Sequence, residues 1–228
     1  VSYWVSQRFT AGRLHGSAIA VFAGLLLAYA GGVTTGGKNG IADVPALAGI
    51  GLLGGSMLRD FAIVATAFGA SFADLRRSGL PVVVALFVGI LISFLCGAMV
   101  AIAFGYRDAV SITTLGAGAV TYIVGPVTGA ALGATSEVMA LSIAAGLVKA
   151  ILVMLVTPLV AKRIGLDNPH TAMIFGGTLG TNSGVAAGLA ATDPKLVPYG
   201  VMAATFYTGL GCLLAPSVLF FAIRLVFP

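Results

Sequence analysis

Residues Gly176 to Lys195 read GGTLGTNSGVAAGLAATDPK, inside a stretch otherwise apolar enough for lipid. Glycines, hydroxyls and an amide at the middle of such a stretch free backbone N–H and C=O groups that hydrocarbon cannot satisfy. The segment must therefore break somewhere sheltered, against protein or around a wet cavity. The rest of the chain decides which.

Its 228 residues are 59% hydrophobic and 8% charged, a composition that soluble domains of this size do not carry. Apolar runs recur about every 25 residues, where barrel strands would alternate over about 10. The chain therefore reads as an all-α integral membrane protein, a multi-span helical bundle forming one transporter-like domain over 1–228. The runs are 16–33, 45–70, 81–104, 109–133, 138–161, 170–191 and 199–226, each long enough for about one crossing of a 30 Å hydrocarbon layer. The net charge of +5 comes from 12 Lys and Arg set singly or in pairs in short loops, which are orientation signals, not a nucleic-acid-binding face. Cys96 and Cys212 lie within apolar runs and read as buried free thiols. The chain opens VSYWVSQRF without Met, so an earlier segment is expected.

Three runs are interrupted. Run 45–70 carries Arg59 and Asp60 near its middle, run 109–133 carries VGPVTG (124–129), and run 170–191 carries GTNSG (180–184). The last two correspond: TGAALGAT (128–135) laid on VAAGLAAT (185–192) at an offset of 57 gives four identities. A long span follows each, with Pro158 in one and Pro216 in the other.

Loop charges test the geometry. Short basic loops prefer the cytoplasm, and the most basic are those at Arg8/Arg13, Arg76-Arg77 and Lys162-Arg163. They share one side only if 109–133 enters and returns as a re-entrant hairpin. If 170–191 does the same, hairpin-plus-span units 109–161 and 170–226 form an inverted repeat whose hairpins meet tip to tip. Secondary transporters of the elevator kind build ion and substrate sites this way.

Helix N-termini at such tips suit a carboxylate, while unwound carbonyls with Thr, Ser and Asn oxygens suit Na⁺. The candidate substrate groups are Gly125 and Thr128 at the first tip and Thr181, Asn182, Ser183 and Gly184 at the second. Thr128, Asn182 and Thr192 are the candidate Na⁺ ligands. Lys149, central in run 138–161, would cost about 3 kcal/mol facing lipid; it should face the interior, meeting either substrate or a neighbouring hairpin. Asp60 and Glu137 are candidates for H⁺ coupling if buried. Asp108 reads as a helix N-cap, Glu137 as a first-turn residue and Asp193-Pro194-Lys195 as a turn. His15 and His170 lack metal-site spacing, and no constellation suggests an enzyme or an organic cofactor.

GAGAVTYIVGPVTGAALGATSEV (116–138), AAGLVKAILVMLVTP (144–158), SGVAAGLAATDPKLVPYG (183–200) and ATFYTGLGCLLAPSVLF (204–220) resemble the MadM subunit of bacterial malonate transporters. GRLHGSAIA (12–20) and GIGLLGGSMLRDFAIVATAFG (49–69) extend the resemblance over essentially the whole chain. It implies Na⁺-coupled malonate uptake across the bacterial cytoplasmic membrane, by a complex with a smaller MadL-type membrane subunit and room for a higher oligomer. It supplies no residue-level site. A pore-forming or structural subunit whose partner holds the substrate is the competing expectation, recognisable by dry apolar tips and a Lys149 paired inside the protein.

Overall fold

The computed structural model describes residues 1–10, 16–36, 44–49 and 79–227. Among these, all regular structure is helical. Helices α1 (Ser2–Thr10) and α2 (Gly16–Thr35) precede a 3₁₀ turn at Pro45–Leu47, and a second 3₁₀ turn, Pro194–Leu196, lies further along the chain. The remainder of run 45–70, with Arg59 and Asp60, lies outside the described residues. Then follow α3 (Leu80–Ala103), α4 (Ala109–Val120), α5 (Val124–Leu132), α6 (Ser136–Val160), α7 (Pro169–Leu179), α8 (Asn182–Ala190), α9 (Val197–Leu214), a π-helical turn (Ala215–Leu219) and α10 (Phe220–Arg224). Three helical stretches are long and apolar enough to cross a membrane: Leu80–Ala103, Ser136–Val160 and Pro194–Arg224.

Local chemistry sets the ends of these elements. Asp108 accepts from Ser111 N at 2.7 Å and starts α4. Thr135 caps α6 through Val138 N at 3.4 Å, placing Glu137 in the first turn. Asn168 and Thr171 form a reciprocal capping box ahead of α7, with Pro169 in its first turn. Asp193 accepts from Lys195 N at 3.0 Å in the turn before α9. Each of these satisfies N–H groups that a helix start leaves orphaned.

Both interrupted runs are broken in the structure, at 121–123 and at 180–181. The directions of their arms follow from where backbones touch. A methyl group on Gly125 would strike Gly118 Cα, and one on Gly129 would strike the Thr114 side chain. Arms α4 and α5 therefore lie antiparallel, a hairpin that turns back at the break. A methyl on Gly118 would collide with the Ser142 backbone, and one on Gly146 with Tyr122, so α4 runs parallel to α6.

The second break behaves alike with more splayed arms. A methyl on Gly176 would collide with the Gly200 backbone, and the Tyr207 ring occupies the Cβ position of Gly180; α7 thus runs parallel to α9. Arm α8 returns antiparallel to α9, with Asn182 bonded to Thr205 and Gly200 packed on Leu189. It also runs alongside α6 in the same direction, Gly184 on Ala150 and Gly188 on Thr157. Helices α6 and α9 therefore point in opposite directions, and the two hairpins enter from opposite ends of the bundle.

Two apolar clusters hold this arrangement. Leu86, Ile90, Phe94, Ile112, Val120, Val124, Phe206 and Tyr207 join α3, both arms of the first hairpin and α9. Val153, Ala172, Val185, Leu189 and Ala204 join α6, the second hairpin and α9. Burial of this kind stabilises by about 25 cal/mol per Å² of apolar surface, and the glycines among these helices allow backbones to approach as in membrane helix pairs.

Candidate functional site: the meeting of two hairpin tips

At the first tip, α4 ends on Val120 and Thr121 swings into an extended conformation. Its Oγ1 accepts from Ile123 N at 3.2 Å and Val124 N at 3.1 Å. This tip caps its own second arm. Gly125 is buried in the first turn of α5, where only a hydrogen in place of Cβ leaves room for Ser142 Oγ. Thr128, one turn further, is fully buried and its hydroxyl has no hydrogen-bond partner among the described residues. The Thr113 hydroxyl on the opposing arm is in the same condition.

At the second tip, Gly180 adopts a left-handed conformation (φ +67°) to end α7, a conformation nearly free of cost only for glycine. Thr181 occupies the N-cap position of α8, but its side chain caps nothing. It is 1% exposed, and its Oγ1 is buried without a partner among the described residues. Asn182 Nδ2 donates to Thr205 Oγ1 at 3.2 Å. The Thr205 hydroxyl gives its own proton to Val201 O at 2.9 Å, so it can only accept from Asn182, and this fixes the amide orientation. Asn182 Oδ1 is left buried and, among the described residues, unpartnered. Gly184 lies inside α8 against Ala150; its role is close packing, while the break itself rests on Gly180.

The tips touch. Tyr122 Oη and Ser183 Oγ are 3.2 Å apart, hydroxyl to hydroxyl. Beside this contact Lys149 Nζ donates to Val120 O at 2.9 Å, to Ser93 Oγ at 2.9 Å and to Tyr207 Oη at 3.2 Å. It also lies 5.0 Å from the centroid of the Tyr207 ring, within cation–π range. The Tyr207 hydroxyl in turn lies 3.0 Å from Gly89 O and 2.9 Å from Ser93 Oγ. Val120 O belongs to the last turn of α4, the negative end of that half-helix, so the ammonium sits where a helix dipole favours a cation. All the hydrogen-bond partners of Lys149 among the described residues are neutral.

The structure brings Gly125, Thr128, Thr181, Asn182, Ser183, Gly184 and Lys149 into the two hairpins and the helix between them. It does not bring Thr192 there. That residue follows the far end of α8, its hydroxyl bonded to Gly188 O at 2.8 Å. Ten residues of helical rise separate it from Asn182, about 15 Å, so the two cannot share one ion. Glu137 is exposed at the start of α6, which removes the burial that H⁺ coupling at this residue would require. Asp60 and His15 lie outside the described residues, and His170 is exposed. Among the described residues no three His, Cys, Asp or Glu gather as a metal site would require. Both cysteines are free, but Cys96 is exposed on α3, not buried, and Cys212 is half-buried.

Five participants escape a reading of sequence pattern: Ser93, Thr121, Tyr122, Thr205 and Tyr207. Tyr122 carried a usable signal, a polar aromatic beside a Gly-Pro break. Ser93, Thr205 and Tyr207 are ordinary residues of apolar helices until the fold sets them against a tip, and Thr121 is an ordinary residue just past a helix end. A cavity of about 430 Å³ opens elsewhere, at the end of α3, lined by Val100, Phe104, Tyr106, Leu115, Leu141 and Ala145 among others, without a charged side chain.

Comparison with known families matches residues 1–227 to the family described as malonate/sodium symporter MadM subunit. No curated protein and no solved structure matches the chain.

Proposed function

Because the chain belongs to the MadM subunit family of malonate/sodium symporters, we propose that it imports malonate with Na⁺, seating both where the hairpin tips meet. The observation that carries this reading is the Tyr122–Ser183 contact flanked by buried, unpartnered oxygens. Buried polar atoms without partners are rare and ask for a ligand or water. The first-turn N–H groups of α8 lack a side-chain cap and stand ready for a carboxylate.

In this reading 109–161 and 170–226 are two copies of one unit, inverted relative to each other. Helices α5 and α8 have nine residues each and begin 58 positions apart. Gly118 meets Ser142 as Gly176 meets Gly200, and these pairs, together with Pro158 and Pro216, keep the spacing of 58. The register is thus one residue longer than the offset of 57 taken from the small-residue strings. A hairpin-bearing unit that moves against a scaffold of α1, α2 and a MadL-type partner gives alternating access. Lys162, Arg163 and Lys195 share one end of the bundle and define its cytoplasmic face by the positive-inside rule; the membrane is the bacterial cytoplasmic membrane.

One observation favours a second reading, a structural subunit whose partner holds malonate: Lys149 is fully engaged inside the protein. Malonate uptake into proteoliposomes, by the chain with and without its partner subunit, separates the two. Asn182→Ala and Ser183→Ala should weaken the apparent malonate affinity while the protein still inserts. Undiminished affinity in both variants rejects the tips as the site.

A further inference from the structure

The two tips are built alike but finished differently. In the first, the α4 carbonyl end is met by a side-chain donor, Lys149 Nζ on Val120 O at 2.9 Å, and Thr121 Oγ1 is spent on Ile123 N and Val124 N. These groups at the break itself are taken up by the protein, and the buried, unpartnered hydroxyls of this hairpin, Thr113 and Thr128, lie a turn or more away along its arms. In the second, the position 58 residues after Lys149 is Tyr207, which packs its ring on Gly180 and brings no charge. There Thr181 Oγ1 and Asn182 Oδ1, adjacent in sequence, are both buried without a partner. Asn182 cannot relieve this by turning its amide, because Thr205 Oγ1 accepts from Nδ2 and has committed its own proton to Val201 O.

We propose that the coupling Na⁺ is seated at the second tip alone, on Thr181 Oγ1 and Asn182 Oδ1, the place that Lys149 Nζ occupies at the first. The inference rests on the reading of the chain as a Na⁺-coupled carrier and specifies its ion site. A hydroxyl and an amide oxygen are the neutral hard ligands that suit a small alkali cation. At the first break an ion beside Val120 O would have to share that carbonyl with Lys149 Nζ. Break carbonyls, water or a substrate carboxylate at the adjoining N–H groups complete the coordination, so that ion and substrate stabilise each other's binding.

The test uses the full complex. Thermal unfolding of the purified protein without malonate, in NaCl against choline chloride, should show stabilisation by Na⁺ in the wild type and in Thr181→Ser. The stabilisation should be absent in Thr181→Val and Asn182→Leu. In proteoliposomes the latter two should raise the Na⁺ concentration for half-maximal malonate uptake about tenfold, and Thr181→Ser should keep it near the wild-type value. If Na⁺ stabilises Thr181→Val and Asn182→Leu as it does the wild type, with half-saturation within about twofold, the seat is elsewhere. A wild type whose uptake and unfolding are both indifferent to Na⁺ overturns the coupled-carrier reading together with the seat.

Discussion

Tyr122 and Ser183 place their hydroxyls 3.2 Å apart across the gap between two hairpins that enter the bundle from opposite ends. A bond across that gap joins the proposed halves of the transporter where substrate would lie. Whatever moves one tip relative to the other must stretch or replace this contact.

Tyr122→Phe and Ser183→Ala should therefore be coupled. A neutral hydrogen bond contributes about 1 kcal/mol, so a double-mutant cycle on malonate affinity is expected to give an interaction of about that size. Fully additive effects would mean that the contact takes no part in binding.

Lys149 separates a positioning role from direct binding. Lys149→Met keeps the stem and removes the ammonium, losing bonds to Val120 O, Ser93 and Tyr207. Hydrogen bonds to charged groups are worth about 1.5–3 kcal/mol, so thermal stability should fall clearly, with partial recovery in Lys149→Arg. A variant of normal stability whose malonate KM rises by about tenfold would instead identify Lys149 as a substrate ligand.

The parallel arm–helix contacts predict which glycines are indispensable. Gly118→Ala and Gly176→Ala push a methyl into backbone atoms of Ser142 and Gly200, and overpacking of this kind costs about 1–3 kcal/mol. Gly209→Ala meets nothing within 4 Å and should be neutral or stabilising, since alanine favours the helix by about 1 kcal/mol. Thermal unfolding in detergent checks the contrast; equal behaviour of the three variants would contradict the seams.

Sidedness tests the inversion. In a background with Cys96 and Cys212 replaced by alanine, single cysteines at Lys162 and Lys195 should react with an impermeant reagent from the cytoplasmic side. One at Arg107 should react from the other side. Labelling of Arg107 and Lys162 positions from the same side would rule out opposed hairpins.

The breaks were legible because Gly180 and the Gly125-Pro126 pair are chemically out of place in apolar helices, and backbone satisfaction in lipid leaves few ways to accommodate them. Basic loops then sufficed to suggest the fold-back. Partners were not legible. Thr192 looks like Asn182 in composition, yet it is an end-of-helix hydroxyl bonded to Gly188 O, because distance along a helix is not visible in residue type. Lys149 announced an interior position by its cost in lipid, but not which of a carboxylate, a carbonyl or the substrate would meet it. The offset of 57 came from alanine and glycine matches that slide easily by one; helix limits and backbone contacts, which give 58, do not slide.

At Gly118 on Ser142 and at Gly176 on Gly200 the joint is main chain against main chain, with no side chain between to serve as a bearing. Each hairpin is in effect welded to the long helix that follows it, α4 to α6 and α7 to α9. Arm α8 is set on α6 as closely, Gly184 against the Ala150 backbone, so the two units interlock, and in the proposed transport cycle the travel has to be found between this paired body and its surroundings.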